Sequence, residues 1–291
     1  MTNTAPPIPR PHQSALHWQS QAVLLLFVPL TAVWVTMEAG QFWYLGNAAL
    51  FLGAAISVAL AALVLLTRAA TPGAAFTGAV FTAALWLQTP GLHTALWPLL
   101  ALLLLTFSAT GFGRRRKEAL GTAEARHGRT ASQVAANLGV AALAGIPLSA
   151  AHVFTPVAFG GRAAMVAMIA AMAEATADTV SSELGQVLGG TPRLITNFRA
   201  VPAGTDGAIS LKGTLSGSLA AAILVGVAFL ALPSFSRIDA LLALAAGIAG
   251  VFIDSLLGAI PERHGWLNND AVNALSTIAA ALLAAWATRF S

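Results

Sequence analysis

Cysteine is absent from the 291-residue chain, tyrosine occurs once, and only 9% of the residues are charged, against about 25% in a typical soluble domain. The lack of cysteine excludes disulfide bridges, thiolate metal ligands and cysteine nucleophiles. The scarcity of charge, with a hydrophobic content of 57%, excludes a water-soluble globular enzyme. The net charge is +4, but the basic residues are scattered between apolar runs and do not form the dense patch of a nucleic-acid-binding face. We therefore expect a membrane protein with no nucleic-acid partner.

Long stretches without a charged residue indicate membrane-spanning helices. The gap from Arg68 to Arg114 is the longest, and a helix that crosses a bilayer needs only about 20 apolar residues. Ala, Leu, Val and Gly dominate these stretches, which favours helices with small-residue contacts over barrel strands. Pro90 and Gly91 divide the longest gap, so a re-entrant segment is the alternative for the short third span. The sequence predicts an all-α fold, a polytopic integral membrane helical bundle of about nine transmembrane helices, at residues 20–37, 46–67, 73–88, 94–112, 132–150, 162–185, 213–232, 240–259 and 272–290.

The distribution of lysine and arginine predicts which helix ends face the cytoplasm, where basic residues accumulate. With a cytoplasmic N-terminus, twelve of the 15 Lys and Arg residues fall on the inner side, and only Arg162, Arg237 and Arg289 fall outside. The connections 113–131 and 186–212 are then both cytoplasmic loops. We therefore expect a multi-pass protein of a bacterial inner membrane whose active face is cytoplasmic.

The N-terminal segment differs in composition from the rest of the chain. Residues 1–19 are polar and rich in proline, which predicts a disordered cytoplasmic tail. The apolar run that follows has no convincing small-residue cleavage site, so we interpret it as an uncleaved first span. Residues 20–291 are expected to form a single membrane domain.

Acidic residues within or at the ends of apolar spans are the most unusual feature of the sequence. An ionised carboxylate there costs roughly 2.5 to 3.5 kcal/mol, so such residues are seldom incidental. Asp254 belongs to a span predicted to run in the same direction as the span of Asp178, which suggests a weak parallel internal repeat. Spacings of three and four residues place on one helix face Glu174, Asp178, Ser181 and Ser182, with Glu183 off that face at the membrane boundary.

These oxygen ligands predict a hard divalent cation. With no imidazole or thiolate nearby, Mg²⁺ or Mn²⁺ is favoured over zinc. The alternative is that the acids hydrogen-bond to Ser and Thr of neighbouring helices and only stabilise packing. The predicted metal ligands are Asp178, Glu183, Asp254 and Asp270, and Asn269 and Asn273 lie beside the last of them.

The connection before residue 214 has the composition of a phosphate-binding loop. Glycines let backbone N–H groups approach an anion, Arg and Lys neutralise it, and a helix N-terminus follows. It is not a Walker loop, because Lys212 precedes its glycine. An ordinary surface loop with positive-inside charges is the alternative. The candidate phosphate-binding residues are Arg193, Arg199, Gly204, Thr205, Gly207, Ser210, Lys212, Gly213 and Thr214, together with Arg129 and Asn137 from an earlier span.

The motifs at residues 128–137, 177–185, 192–196, 201–207, 210–214 and 268–273 resemble those of the transmembrane protein 19 family, also called domain of unknown function 92. The resemblance runs from about residue 45 to the C-terminus. That family includes the plant phytyl-phosphate kinase, and many of its members have no established activity. The chain is more remotely similar to the phytol kinase, dolichol kinase and CDP-diacylglycerol synthase group, whose members use CTP, but residues 210–214 depart from that group's Lys-Ser/Thr-x-Glu-Gly pattern.

The resemblance implies a membrane prenyl-phosphate kinase that transfers a phosphoryl group from CTP or ATP to a prenyl monophosphate. Asp178, Glu183 and Asp254 would hold Mg²⁺ on the triphosphate, Arg193 and Lys212 would act on the phosphates, and the prenyl tail would lie among the helices in the lipid. The rival interpretation is a carrier or flippase for a lipid phosphate or small anion, with the acids as proton or cation sites. A third is an inactive packing or assembly subunit.

Overall fold

A computed structural model describes residues 16–123, 128–153 and 161–291 and is mainly helical in that part of the chain. The helices are α1 His17–Tyr44, α2 Ala49–Leu66, α3 Pro72–Gln88, α4 Leu96–Gly111, α5 Arg114–Leu120, α6 Ala131–Ala144, α7 Ile146–Val153, α8 Gly161–Leu188, α9 Leu211–Ala231, α10 Arg237–Leu257 and α11 Asn269–Ala287. A π-helical turn, Gly258–Glu262, extends α10, and a 3₁₀ turn, Thr288–Phe290, extends α11.

The all-α membrane architecture is confirmed, but nine transmembrane helices are not. Six helices among the described residues are long and apolar enough to cross a bilayer, or seven if α4 and α5, which meet at 61°, form one broken span. Helix α3 has 17 residues and α6 has 14, so α6 is only about 21 Å long against a hydrocarbon core of about 30 Å. The hydropathy of the sequence located α6 but did not show that this helix is too short to span alone.

Two predicted segments differ from the structure because of local backbone geometry. The predicted span 132–150 is divided into α6 and α7 at Gly145, where an added Cβ would overlap the Gln88 side chain. The predicted loop 113–131 contains α5, which begins directly after Gly113. Gly113 has a left-handed backbone conformation (φ 62°), and this lets the chain turn sharply at the end of α4. Most of the predicted tail, residues 1–15, lies outside the described residues, and α1 begins at His17.

Helix α8 is the centre of the bundle. Helices α4, α6, α9, α10 and α11 all contact it, and its side chains are buried over most of its length. Small residues on the neighbouring helices allow this crowding. A Cβ at Gly213 of α9 would lie only 2.7 Å from the Ser181 carbonyl oxygen, and one at Gly247 of α10 would lie 2.9 Å from Ala173 Cβ. Helix packing in membranes depends on such close backbone approach.

The relative directions of the helices follow from which residues meet. Along α10, Gly247 approaches Ala173 and Gly250 approaches Glu174, so α8 and α10 are parallel. Along α9, Gly213 approaches Ser181 while Gly217 approaches Ala177, so α8 and α9 are antiparallel. The C-terminal ends of α8 and α10 and the N-terminal end of α9 therefore lie at the same face of the bundle.

Several side-chain contacts gather further segments at that face. Lys117 of α5 forms a buried ion pair with Glu183 of α8, and its Nζ also donates to the carbonyl oxygens of Ala109 (3.1 Å) and Thr110 (2.6 Å). Gln19 Nε2 near the start of α1 donates to the Trp266 carbonyl oxygen at 2.8 Å. The N-terminal end of α1 and the segments after α4, after α8 and after α10 thus lie on one side of the bundle.

The connection between α8 and α9 is folded back on itself. Strands β1 Arg193–Leu194 and β2 Ala208–Ile209 pair in antiparallel register, with Arg193 opposite Ile209. Leu194 is buried and anchors the hairpin. This two-residue ribbon departs from a purely helical fold, and it presents residues 203–210 toward the helix ends.

The α8–α9 crossing generates a prediction about stability. An added Cβ at Gly217 would overlap both Ser181 Oγ and the Ala177 carbonyl oxygen, whereas at Gly226 of the same helix it would meet nothing within 4 Å. We expect Gly217→Ala to lower the stability of the purified protein by about 1–3 kcal/mol through overpacking. Gly226→Ala should be neutral or stabilising because alanine favours helix. Thermal unfolding in detergent tests this, and equal midpoints for the two variants would contradict it.

The Lys117–Glu183 pair generates a second stability prediction. Lys117 is 1% exposed and Glu183 is 15% exposed, so removing the cation leaves a largely desolvated carboxylate. We expect Lys117→Met to destabilise the protein by about 3 kcal/mol, and Lys117→Met combined with Glu183→Gln to recover most of the loss. Denaturant titration of the two variants measures both values. A single variant as stable as the unmodified protein would show that the pair does not stabilise α5 against α8.

Candidate functional site

A cavity of about 410 Å³ opens at the face where these helix ends meet. Its wall is built from the ends of α6, α8, α9, α10 and α11 and from the glycine-rich connection before α9. The predicted residues that line it are Arg129, Asn137, Asp178, Ser181, Ser182, Glu183, Gly204, Thr205, Gly207, Ser210, Gly213, Thr214, Asp254, Asn269 and Asn273. Residues from widely separated motifs therefore share one cavity.

Asp178 of α8 and Asp254 of α10 form the acidic centre of the cavity. The parallel packing of the two helices brings their side chains into direct interaction. Ser276 Oγ of α11 donates to Asp254 Oδ2 at 3.2 Å, and Arg129 acts on Asp178 electrostatically. Glu262, on the π-helical turn after α10, also contributes negative charge at Asp254. The result is a concentration of negative charge between three helices.

Glu174 lies one helical turn deeper than Asp178 and does not line the cavity. Its side chain is 1% exposed, and the close approach of Gly250 places α10 directly against it. Ser276, the residue that donates to Asp254, lies beside it, while the Glu174 Oε1 has no hydrogen-bond partner among the described residues. Glu174 thus supports the acidic pair from below.

The four predicted metal ligands do not converge. Among the described residues, no three acidic or histidine side chains lie close enough together to hold a metal ion. Glu183 lines the cavity but is paired with Lys117, and Asp270 lies outside the lining. Asp270 is one residue past Asn269, so it falls on a different face of α11 from Asn269 and Asn273, which are four residues apart and both line the cavity.

The glycine-rich connection packs against the C-terminal end of α10. Gly207 has φ 72°, and an added Cβ there would overlap the backbone of Ala259 in the π-helical turn. Ser210 caps α9, its Oγ accepting from the Gly213 N–H at 3.1 Å. The backbone of this connection and the first turn of α9 therefore face the cavity directly.

The predicted basic residues of the same connection point elsewhere. Arg193, Arg199 and Lys212 are exposed and lie outside the cavity lining. Arg193 Nη1 donates to the Phe198 carbonyl oxygen at 2.8 Å and so stabilises the hairpin turn. Within the described part of the chain, Arg129 is the one Lys or Arg side chain in the lining.

Arg129 is held by backbone contacts to the turn between α2 and α3. Its N–H donates to the Ala69 carbonyl oxygen at 3.0 Å, and its own carbonyl accepts from Thr71 N–H at 3.0 Å. Nearly two turns into α6, Asn137 Oδ1 accepts from Asn273 Nδ2 at 3.4 Å. The backbone of Arg129 and the side chain of Asn137 are thus held in place, and both residues line the cavity together with the acidic pair.

Further polar residues line the cavity although the sequence analysis did not select them. Gln186 extends the i, i+4 series of Asp178 and Ser182 along α8, so the helical period alone could have identified it. No such signal existed for Thr122, which contacts the cavity because Gly204 packs against it. The other unselected polar residues are Gln133, Thr179, Asp206, Ser255 and Glu262.

The charge balance of the lining limits what the cavity can bind. Beside Arg129 the lining contains five carboxylates: Asp178, Glu183, Asp206, Asp254 and Glu262. Lys117 compensates Glu183 from outside the lining. Asp178 and Asp254 would repel a free polyphosphate, whereas they would attract a cation or a cation–phosphate complex.

The donor set fits Mg²⁺. This ion is usually held by one or two carboxylates, several waters and substrate phosphates, and does not require an all-protein cage. Asp178 and Asp254 supply two adjacent carboxylates, and Ser and Asn oxygens surround them. The arrangement can therefore hold a hard cation whose remaining ligands come from a bound phosphate.

Comparison with known proteins identifies several relatives of the chain. The chain is 44% identical over 125 residues to an uncharacterized membrane protein of Methanocaldococcus jannaschii, which is 43% of this chain and 52% of that protein. It is 35% identical over 176 residues to protein VTE6, chloroplastic, of Arabidopsis thaliana, covering 58% of this chain and 51% of that protein. An uncharacterized membrane protein of Synechocystis is 31% identical over 183 residues, covering 61% and 67%.

The chain spans about half the length of the first two relatives and two thirds of the third. No solved structure matches the chain. The family model described as integral membrane protein DUF92 matches residues 55–281, which contain the whole cavity lining and every predicted site residue. The chain therefore belongs to the DUF92 family of integral membrane proteins.

Proposed function

We propose that this protein is a Mg²⁺-dependent prenyl-phosphate kinase, which transfers a phosphoryl group from CTP or ATP to a prenyl monophosphate. The observation that carries the proposal is the acidic pair Asp178 and Asp254, set beside Arg129 and a glycine-rich backbone in one cavity of an apolar bundle. An ionised acid within an apolar bundle is energetically costly, so the presence of two such acids side by side favours a bound ligand.

The charge balance supports a nucleotide that arrives with its metal. Asp178 and Asp254 would hold Mg²⁺, and Asn269 and Asn273 lie within reach of its outer ligands. When bound, the metal neutralises the charge on the phosphate oxygens of the nucleotide. The glycine-rich connection and the positive end of the α9 dipole would receive the phosphates through backbone N–H groups. Arg193 and Lys212 lie outside the lining, so in this proposal they do not contact the phosphates inside the cavity.

The reaction requires little covalent chemistry from the protein. An oxygen of the acceptor phosphate, already ionised, attacks the γ-phosphorus of the nucleotide. The bond from that phosphorus to the β,γ-bridging oxygen breaks, the nucleoside diphosphate leaves with its electron pair, and the prenyl diphosphate forms. No proton has to be removed from the nucleophile, so positioning and charge neutralisation suffice. Arg129 and Asn137, which lie opposite the acids, are suited to orient the acceptor phosphate.

Family membership supports the same assignment. The chain is 35% identical to protein VTE6, chloroplastic, over 176 residues, and the family that its motifs resemble includes the plant phytyl-phosphate kinase. The chain spans about half of that relative, so the substrate and the nucleotide are proposals that rest on the cavity as well as on the likeness.

A carrier or flippase for a lipid phosphate or small anion is the second candidate, and Glu174 is the observation that favours it. This acid is buried below the cavity with an oxygen that has no hydrogen-bond partner in the described structure, as expected for a proton site along a path. Flux of labelled prenyl phosphate across liposomes, without formation of diphosphate, would favour the carrier over the kinase.

The acidic pair generates the central prediction. Purified protein in detergent, supplied with Mg²⁺, γ-labelled CTP or ATP and farnesyl monophosphate, should form labelled farnesyl diphosphate. Asp178→Asn and Asp254→Asn should each reduce turnover at least about a hundredfold, because the metal–nucleotide complex loses a ligand. Glu118→Gln is the matched control, since Glu118 is an exposed carboxylate of α5 paired with Arg114. Full turnover by either aspartate variant would contradict the assignment.

Removal of the metal generates a separate prediction. The acids in the lining outnumber its one arginine, so nucleotide binding should disappear in excess EDTA and return when Mg²⁺ or Mn²⁺ is added. Equilibrium binding of a labelled nucleotide measures this without relying on turnover. Equally tight binding in EDTA would show that the carboxylates do not act through a cation.

A further inference from the structure

A second cavity lies against the polar one, between α2, α3, α4 and α6. Its volume is about 70 Å³, and small and aliphatic side chains form most of its wall, among them Leu60, Val64, Ala75, Gly78, Leu99 and Leu103. The two threonines in the wall bond within their own helices, Thr82 Oγ1 to the Gly78 carbonyl oxygen at 2.8 Å and Thr106 Oγ1 to the Leu103 carbonyl oxygen at 3.4 Å. The wall of this apolar pocket therefore offers little to a polar ligand.

Arg129 and Asn137 line both cavities. They are the side chains at which a strongly polar cavity and an apolar pocket adjoin. The backbone of Arg129 is bonded to residues 69 and 71, and Ala69 and Ala70 belong to the wall of the apolar pocket. The cation is thus fixed at the junction by the same turn that closes the pocket.

This juxtaposition matches the chemistry of one kind of ligand. A molecule with an anionic head and a hydrocarbon tail can place the head at Arg129 and Asn137 and the first carbons of the tail in the apolar pocket. Asn137 Oδ1 already accepts from Asn273, so its Nδ2 is the group that can donate to such a head. Helix α2 forms one wall of the pocket, and its outward side chains are exposed and apolar, so the rest of a long tail can continue into the bilayer.

We infer that the apolar pocket between α2, α3, α4 and α6 binds the carbons next to the phosphate of the prenyl monophosphate acceptor, with Arg129 and Asn137 holding the phosphate between the two cavities. The inference rests on the proposed function for the identity of the head group. It goes beyond that function in two respects. It assigns the first carbons of the prenyl tail to the apolar pocket, and it has the acceptor enter from the lipid side of α2 and α3.

The small residues that line the apolar pocket set the size of the hydrocarbon group that it can hold. Ala61, Ala69, Ala74, Ala75 and Ala79 join Gly78 in leaving room close to Arg129. An added Cβ at Gly78 meets nothing within 4 Å, so a larger side chain there takes up open space without displacing the backbone. Gly226 of α9 is equally open, is also inside a helix, and lines neither cavity, which makes it a matched control.

The experiment measures equilibrium binding of radiolabelled farnesyl monophosphate to the full chain in detergent, with farnesol and inorganic phosphate as competitors. Gly78→Leu should weaken farnesyl monophosphate binding roughly tenfold or more, since methylene-sized changes in an apolar pocket have effects of this order. Gly78→Ala should have a smaller effect, and Gly226→Leu none. Arg129→Gln should remove the preference for farnesyl monophosphate over farnesol.

Parallel kinase assays separate this inference from the proposed function. Where transfer occurs, Gly78→Leu should raise the KM for farnesyl monophosphate and leave the KM for the nucleotide unchanged. Binding that depends on Gly78 and Arg129, without any transfer, would support the pocket and overturn the kinase. Transfer with the same acceptor KM in Gly78→Leu as in Gly226→Leu would support the kinase and overturn the pocket. Absence of both binding and transfer would overturn both.

Discussion

Burial of carboxylates inside an apolar bundle is the constraint that organises this molecule. An acid at membrane depth must find hydrogen-bond donors, a counter-ion or a ligand, because lipid supplies none of these. Asp178 and Asp254 can meet only because α8 and α10 pack in parallel at very short distance, and Gly247 and Gly250 make that distance possible. The glycines, the parallel direction of the two helices and the acidic pair are therefore one structural feature.

The acids of the bundle are stabilised in two different ways. Glu183 is paired with Lys117, and at the opposite end of the bundle Asp239 is paired with Arg162, whose Nε lies 2.8 Å from Oδ1. Each pair joins two helices, and in each pair the basic residue neutralises the charge of the carboxylate. Asp178 and Asp254 instead lie beside one another and face a cavity, where Arg129 acts on Asp178. This contrast separates acids that stabilise the fold from acids that are available to a cation.

The two adjoining cavities differ in chemistry. Under the proposed function, the polar cavity would receive the metal–nucleotide complex and the apolar pocket beside it the hydrocarbon of the acceptor. Arg129 and Asn137 join them, and the hydrogen bonds between Arg129 and the α2–α3 turn make the position of that junction a property of the fold. In the proposed reaction the nucleotide would approach from water and the lipid phosphate from the bilayer, and adjoining polar and apolar cavities suit two substrates that come from different phases.

The sequence alone determined the membrane architecture, the approximate helix positions and the motif residues, because hydropathy and helical period are local properties. It did not determine that Glu183 pairs with Lys117, that Asp270 faces away from Asn273, or that Arg193 and Lys212 lie outside the cavity. Those outcomes depend on helix rotation and on where the hairpin after α8 folds back, which only packing decides. The adjacency of Asp178 and Asp254, and the wall that Arg129 shares with the apolar pocket, likewise arise from contacts between segments far apart in the chain.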